Sequence, residues 1–266
     1  MGTRLLLDKA LAPALASAGL SSAEALFRLG GPADATSLVT VVELPVDGTV
    51  GRFHLKRYRY GGWATAKGLL GRGTLWGTAP EVAEFKGLEF LREHGVPAVR
   101  PVAAASRSEK GRLVAHALLT EHVPGSLDLA RRLATPGDPV REDAATRRRV
   151  AQLIGRHAHR MHSEGFVHRD LFPRNVLVRV DEDGPSVWFC DCRRGGAPSF
   201  RWKPDDDLAT LELDLRDALS RTDRMRILRA YAAGGGLAAW ARRILARRDR
   251  LARARDRRAR GDRAAR

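Results

Sequence analysis

Cysteine is nearly absent from this chain. Cys190 and Cys192 are the only two in 266 residues. They sit one residue apart at the end of an apolar segment, pointing to the same side of a strand, so they cannot pair with each other without distortion. Two thiols also fall short of a structural zinc quartet. Both facts fit a reducing compartment. Long apolar runs are missing too: no segment approaches the ~20 residues that span a bilayer. The N-terminus, MGTRLLLDKALAPALASAG, superficially suggests a signal peptide, but Asp8 and Lys9 interrupt it after three leucines, which argues against a secretory leader. Aromatics make up only 6%, yet the hydrophobic fraction of 44% at this length is enough for a sizeable core. Acidic residues are in deficit: 47 Lys and Arg face 31 Asp and Glu, for a net charge of +16. Between Arg242 and Arg266 there are twelve Arg and three Asp, so more than half of the excess lies in the last tenth of the chain. Such a distribution favours anionic partners, among them lipid head groups, acidic saccharide and nucleic acid, and disfavours cationic small molecules.

What is present is concentrated in residues 166–192, FVHRDLFPRNVLVRVDEDGPSVWFCDC. Two β-branched segments, 176–180 and 187–190, flank an Asp-Glu-Asp-Gly turn and predict a hairpin. A polar loop with Asp170 and Asn175 precedes the first strand, and Asp191 follows the second. Carboxylate, amide and carboxylate at the two ends of one hairpin suit a divalent cation held beside a hydroxyl, the requirement of phosphoryl transfer. The order H-R-D-L-x-x-x-N, then a strand ending in Asp, is the catalytic-loop and metal-loop signature of protein-kinase-like enzymes. Asp and Asn also cap loops in proteins with no catalytic role. Here the triplet, the Asn offset and two correctly placed strands coincide.

Earlier in the chain, residues 5–29 read as helical, with Ser21 or Ser22 capping a second helix. A hairpin is predicted from 38–44 and 52–58 around Asp47-Gly48. In RFHLKRY, Phe53, Leu55 and Arg57 face one way, and His54, Lys56 and Tyr58 the other. A basic, Gly-rich connection (59–79) leads to a helix from Ala79-Pro80, whose stripe is Val82, Phe85, Leu88 and Leu91. Glu84 borders that stripe and is the preferred partner for Lys56, with Glu81 second. Residues 96–105 and 113–120 predict strands, and 127–133 a short helix. Val150, Leu153, Ile154, His157 and Met161 mark an amphipathic helix. His157, His159 and His162 on that helix lack the accompanying ligands of a metal site. Asp205, Asp206 and Asp207 open another helix, one of them as its cap. A last apolar stripe runs over 237–251, and the Arg-rich tail beyond has little to bury.

The chain resembles the bacterial lipopolysaccharide kinases, which phosphorylate Kdo or heptose of the inner core. The likeness covers roughly residues 28–250. It rests on LKRYRYGGW, APEVAEFKGLEFLREHGVPAVRPVAA, HSEGFVHRDLFPRNVLV, FCDCRRG and DDLATL. It implies an α+β, two-lobed protein-kinase-like fold with a small antiparallel-sheet N-lobe and a mainly helical C-lobe. The expected division is 1–120 for the nucleotide-binding lobe (1–30 a helical extension), 121–241 for the catalytic lobe and 242–266 for a basic helix or tail. ATP and Mg2+ are the implied cofactors, and a cytoplasmic position at the inner membrane is implied as well. Lys56 and Glu84 would serve the nucleotide phosphates, with backbone at Glu121 and Val123 meeting the adenine. Asp170 would be the base, and Asn175 and Asp191 the magnesium ligands. His168 and Arg169 would support the loop, and Asp207 would brace it from below. Two departures stand out. No glycine-rich run precedes Lys56, Gly30 and Gly31 being the nearest glycines, and Asp191 is followed by Cys-Arg-Arg rather than Phe-Gly. The alternatives are a protein or small-molecule kinase of the same fold, or an inactive scaffold binding membrane or nucleic acid through the tail.

Overall fold

The computed structural model describes residues 2–31, 37–46, 48–60, 79–110, 112–233 and 235–264. Pro32, Asp47, Gly234 and the basic stretch 61–78 lie outside the described residues. Two compact units emerge. One comprises Met1–Arg92 with Val99–Val123, the other Glu93–Ala98 with Pro124–Arg266.

The first unit is built on an antiparallel sheet in the order β1-β4-β5-β3-β2. Its strands are β1 (Gly2–Leu7), β2 (Ser37–Val46), β3 (Thr49–Arg59), β4 (Pro101–Glu109) and β5 (Arg112–Glu121). Alternation along β3 separates two cores. Phe53 and Leu55, with Ala117 and Leu119 of β5, pack under α1 (Ala12–Ser17) and α2 (Ala23–Arg28). Leu118 and Leu113 of β5 pack instead against Val82 and Phe85 of α3 (Pro80–Glu93). Ser22 caps α2, its hydroxyl accepting from the Ala25 N–H. The helical reading of residues 5–29 is corrected at its start. Gly2–Leu7 is a strand, with Leu5 opposite Ala105 and Leu6 opposite Ala104, so the first residues belong to the sheet and are not a helical extension.

Arg57 lies on the α1–α2 side and is almost wholly buried. Its guanidinium donates to the carbonyls of Phe27 (2.6 Å), Leu29 (2.9 Å) and Gly31 (2.7 Å). These are carbonyls that the end of α2 leaves without helical partners. Gly30 and Gly31 have φ of +79° and +87°, the left-handed backbone that glycine adopts freely, and they turn this end towards Arg57. The two glycines nearest to a nucleotide loop in the sequence thus serve as a helix terminator.

In the second unit a small sheet, β6-β7-β8, joins β6 (Leu127–Asp128), β7 (Val176–Asp181) and β8 (Gly184–Phe189). The helix expected from 127 starts two residues later, because Leu127 and Asp128 pair with Val178 and Leu177. The helices are α4 (Leu129–Ala134), α5 (Pro139–Glu142), α6 (Ala144–Ser163), α7 (Pro204–Leu215), α8 (Arg221–Tyr231) and α9 (Leu237–Ala264). The segment 242–266, expected as a basic helix or tail with little to bury, is helical through Ala264. Arg243 pairs with Asp205, Arg247 with Asp206, Arg248 with Glu212 and Arg255 with Asp214, all four carboxylates on α7. Among the described residues no helix is long and apolar enough to cross a membrane.

α6 and α8 approach closely at Gly155, where a Cβ would collide with the Ile227 carbonyl and the Ala230 side chain. Gly155→Ala should therefore force the two helices apart and destabilise the protein by about 1–3 kcal/mol. Urea denaturation with an unchanged m-value checks this; a wild-type midpoint would contradict the close contact.

Candidate functional site

The loop between α6 and β7 has few backbone hydrogen bonds of its own and takes them from neighbours. Val167 exchanges both backbone bonds with Gly196 (2.8 and 3.0 Å). The side chain of Asp207, in the first turn of α7, accepts the His168 N–H at 2.6 Å and the Arg169 N–H at 2.7 Å. The same carboxylate meets His162 Nε2 of α6 at 3.1 Å. With Nε2 donating there, Nδ1 accepts from the Tyr231 hydroxyl at 2.9 Å. Burial, with Asp205 and Asp207 nearby, pushes the Tyr231 phenol above its ordinary pKa and keeps it a donor. Asp207 is the brace that the sequence suggested. His162, set aside there as a metal ligand, is part of the same support. Its only sequence signal was its place on α6, because its partners are 45 and 69 residues away.

His168 is fully buried, and burial holds its pKa below the ordinary histidine value. The neutral ring meets the Cys190 carbonyl through Nε2 at 3.1 Å. The Cys190 N–H donates to the Asn175 carbonyl at 3.0 Å. Asn175 Nδ2 donates to the Asp170 carbonyl at 2.7 Å. This amide bond fixes the side chain of Asn175 and leaves its oxygen as the group to offer a cation. Asp170 is half-buried, as is Asp191. Asp170, Asn175 and Asp191 are thus tied together through the backbone of the loop and of the hairpin exit. The second strand, expected to run to Cys190 with Asp191 directly after it, ends at Phe189, and φ at Asp191 is +59°. Arg169 has φ +64°, and its Nη2 donates to the Ala197 carbonyl at 2.6 Å. Non-glycine residues in this region are held there at a cost of order 1–3 kcal/mol and concentrate at functional sites.

One carboxylate and one amide oxygen suit magnesium, which takes few protein ligands, keeps several waters and binds through substrate phosphates. Among the described residues no group of three or more His, Cys, Asp or Glu is arranged to hold a metal.

In the first unit Lys56 Nζ lies 2.9 Å from Glu84 Oε1, and Glu84 is 1% exposed. Glu84 is thus the partner of Lys56. Glu81, one turn earlier, pairs with His116 of β5, whose Nε2 meets the Tyr60 hydroxyl at 2.7 Å. His116 also stacks on Tyr58, with ring centroids 4.8 Å apart. Only the i, i+3 spacing of the two glutamates pointed to this buried chain. At the end of β5, the Glu121 N–H donates to the Arg100 carbonyl and the His122 N–H to the Arg52 carbonyl. Glu121 itself is exposed, and Val123 closes the unit. His54 Nε2 meets His122 Nδ1 at 2.9 Å. Burial, then His122, Lys56 and Arg52, lowers the pKa of His54, and burial with Arg52 lowers that of His122.

Asp207→Asn replaces an acceptor oxygen by an NH2 group facing backbone donors, at ~1–3 kcal/mol for each donor left unpaired. Amide exchange at His168 and Arg169 should accelerate well before global unfolding; unchanged protection there would refute the brace. His54, His122 and His168 all have folded pKa values below the unfolded ~6.5, and burial with Arg156 and Arg160 lowers His157 to about 4. The unfolded chain therefore binds protons first as pH falls. The stability contributed by the neutral rings is complete above about pH 6.5 and is lost on acidification, through about 4 for His157. Denaturation midpoints should decline across that window, and a flat profile would contradict the buried neutral histidines.

A family model described as "Lipopolysaccharide kinase (Kdo/WaaP) family" matches residues 51–231. The chain is 31% identical over 149 residues to a 3-deoxy-D-manno-octulosonic acid kinase of Haemophilus influenzae, covering 50% of this chain and 58% of that protein. It is 33% identical over 141 residues to the protein of that name from Vibrio cholerae serotype O1, covering 52% and 54%. The match therefore spans less than two thirds of the length of these relatives. A solved structure titled "WaaP in complex with acyl carrier protein" superposes with a TM-score of 0.67 at 24% identity, covering 94% of this chain and 98% of that one. That likeness shows the fold, α+β and two-lobed in the manner of protein kinases. The family match covers more than half of the sequence, and the chain belongs to the lipopolysaccharide kinase (Kdo/WaaP) family.

Proposed function

We propose that this protein is an ATP-dependent phosphotransferase that phosphorylates a sugar hydroxyl of the lipopolysaccharide inner core, on Kdo or heptose. The observation that carries the proposal is the loop held by Asp207, which fixes Asp170 and Asn175 beside the exit of the β7–β8 hairpin. Asp170 would orient the acceptor hydroxyl and take its proton as the oxygen bonds to the γ-phosphorus of ATP and the bond from that phosphorus to the bridging oxygen breaks, releasing ADP. Asn175 and Asp191 would hold magnesium, which neutralises charge on the nucleotide phosphates when bound. Lys56, steadied by Glu84, serves those phosphates, and the backbone at Glu121 and Val123 meets the adenine. The name of the curated relatives supports Kdo as the acceptor.

The proposed place of work is the cytoplasmic face of the inner membrane. Arg242, Arg253, Arg257 and Arg260 are all exposed. At about 100° per residue they fall on one side of α9, away from the arginines paired with α7. Near an anionic surface each exposed cation contributes on the order of 1 kcal/mol.

Asp170→Asn should reduce transfer to lipid-linked Kdo or heptose saccharide by about 10²–10⁴-fold while leaving nucleotide binding largely intact. Radiolabel transfer from ATP and equilibrium nucleotide binding are the two measurements. Undiminished transfer would remove Asp170 from the reaction, and transfer to protein or to no saccharide at all would overturn the substrate class.

A further inference from the structure

The segment after Asp191 returns to the catalytic loop at two points: Gly196 pairs with Val167, and the Ala197 carbonyl receives Arg169. It then leads through Phe200, Arg201 and Lys203 into α7. Between this segment, the first turn of α7 and α9 lies an open pocket of about 390 Å³. Two carboxylates line it, Asp205 and Asp206, and each is already matched, by Arg243 and by Arg247. Three further cations line the same concavity, Arg201, Lys203 and Arg250. Among the described residues none of the three has a carboxylate partner. At the rim Phe200 is 86% exposed, with the Arg201 guanidinium 5.3 Å from its ring centroid.

Three unmatched cations in one concave site repel one another and lower the stability of the empty pocket. A bound oxyanion removes that repulsion and gains charge-assisted hydrogen bonds, bidentate where arginine is involved. The exposed aromatic ring beside it offers an apolar face to a sugar ring or a hydrocarbon segment. The pocket also has a defined link to the chemistry. Asp206, which faces it, adjoins Asp207, the residue that holds His168 and Arg169.

We propose that this pocket is the anion subsite for the acceptor. Arg201, Lys203 and Arg250 would take a carboxylate or phosphate group carried by the saccharide, with Phe200 against its ring. The assignment rests on the saccharide-kinase reading above. It adds the part of the substrate that is recognised and the residues that recognise it.

The test is the double variant Arg201→Ser/Arg250→Ser in the full chain, assayed with deacylated core oligosaccharide as the soluble acceptor. The KM for oligosaccharide should rise at least roughly tenfold, equivalent to about 1.4 kcal/mol, with the KM for ATP unchanged. Arg201→Lys/Arg250→Lys should recover part of the loss, because charge is kept while the bidentate fork is not. An unchanged KM for oligosaccharide overturns the subsite. So does a variant that keeps its oligosaccharide KM but loses binding to phosphatidylglycerol vesicles, since the cations would then serve the membrane. Should the wild-type protein transfer phosphate to no saccharide, the kinase reading fails by itself. The subsite is then decided by calorimetric titration with free Kdo. Binding by wild type that is lost in the double variant supports it, and absence of binding by wild type overturns it.

Discussion

A single carboxylate, that of Asp207, receives two consecutive backbone N–H groups and a histidine ring. The loop 166–175 cannot satisfy those donors itself, because Arg169 is in the left-handed region and the chain does not continue as helix or strand there. Buried donors without acceptors cost free energy comparable to a lost hydrogen bond. The position of α7 relative to the loop is therefore dictated by chemistry as much as by packing. It also explains the three aspartates at the start of α7. Asp206 accepts the Lys203 N–H at 2.8 Å as a cap, Asp207 holds the loop, and all three favour the positive end of the helix dipole. Three adjacent carboxylates repel one another, and Arg243 and Arg247 of α9 offset that repulsion at Asp205 and Asp206. In this way the Arg-rich helix supports the loop at one remove.

The first unit applies similar chemistry to a helix. Glu81 and Glu84, one turn apart on α3, are both buried, and each meets a partner from the sheet: His116 of β5 and Lys56 of β3. The register sets Lys56 opposite Leu118 and Tyr58 opposite His116, so both partners project from the same face towards α3. Desolvating two glutamates on one helix is expensive, and removing one member of such a pair leaves a buried charge without compensation. This arrangement is therefore poor as a source of stability and well suited to fixing the rotation of α3. Fixed rotation keeps Glu84 where Lys56 meets it.

Local rules made much of this legible in the sequence. Asp170, Asn175 and Asp191 stood out because loop and hairpin lengths leave little freedom in their spacing. Period-two alternation correctly separated Lys56 from Arg57, and the helical stripe of α3 pointed to Glu84 ahead of Glu81. The failures share a non-local cause. Leu5, Leu6 and Leu7 fit a helix as readily as a strand, and only the register with β4 decides. His162 needed knowledge of Asp207 and Tyr231. Gly30 and Gly31 are the glycines nearest Lys56 in the sequence, and only the reach of Arg57 to the Leu29 and Gly31 carbonyls shows what their turn is for. Residues 252–264 lacked an apolar stripe, so their helical order could not be read from hydrophobic pattern.

That last case bears on how the net charge of +16 should be understood. Charge in a terminal run is usually assigned either to solvent or to a partner, but α9 divides it by face. Arg243, Arg247, Arg248 and Arg255 spend their charge on α7 and contribute to the fold. Arg242, Arg253, Arg257 and Arg260, exposed on the other side, do not enter those pairs. Arg250 faces the pocket beside Lys203. A helix that was only an electrostatic anchor would gain from cations all round, and a purely structural one would leave few exposed. The observed division lets one element fix the start of α7 and still present a positive surface, so truncating it removes two things at once. The two contributions separate only by substituting one face at a time.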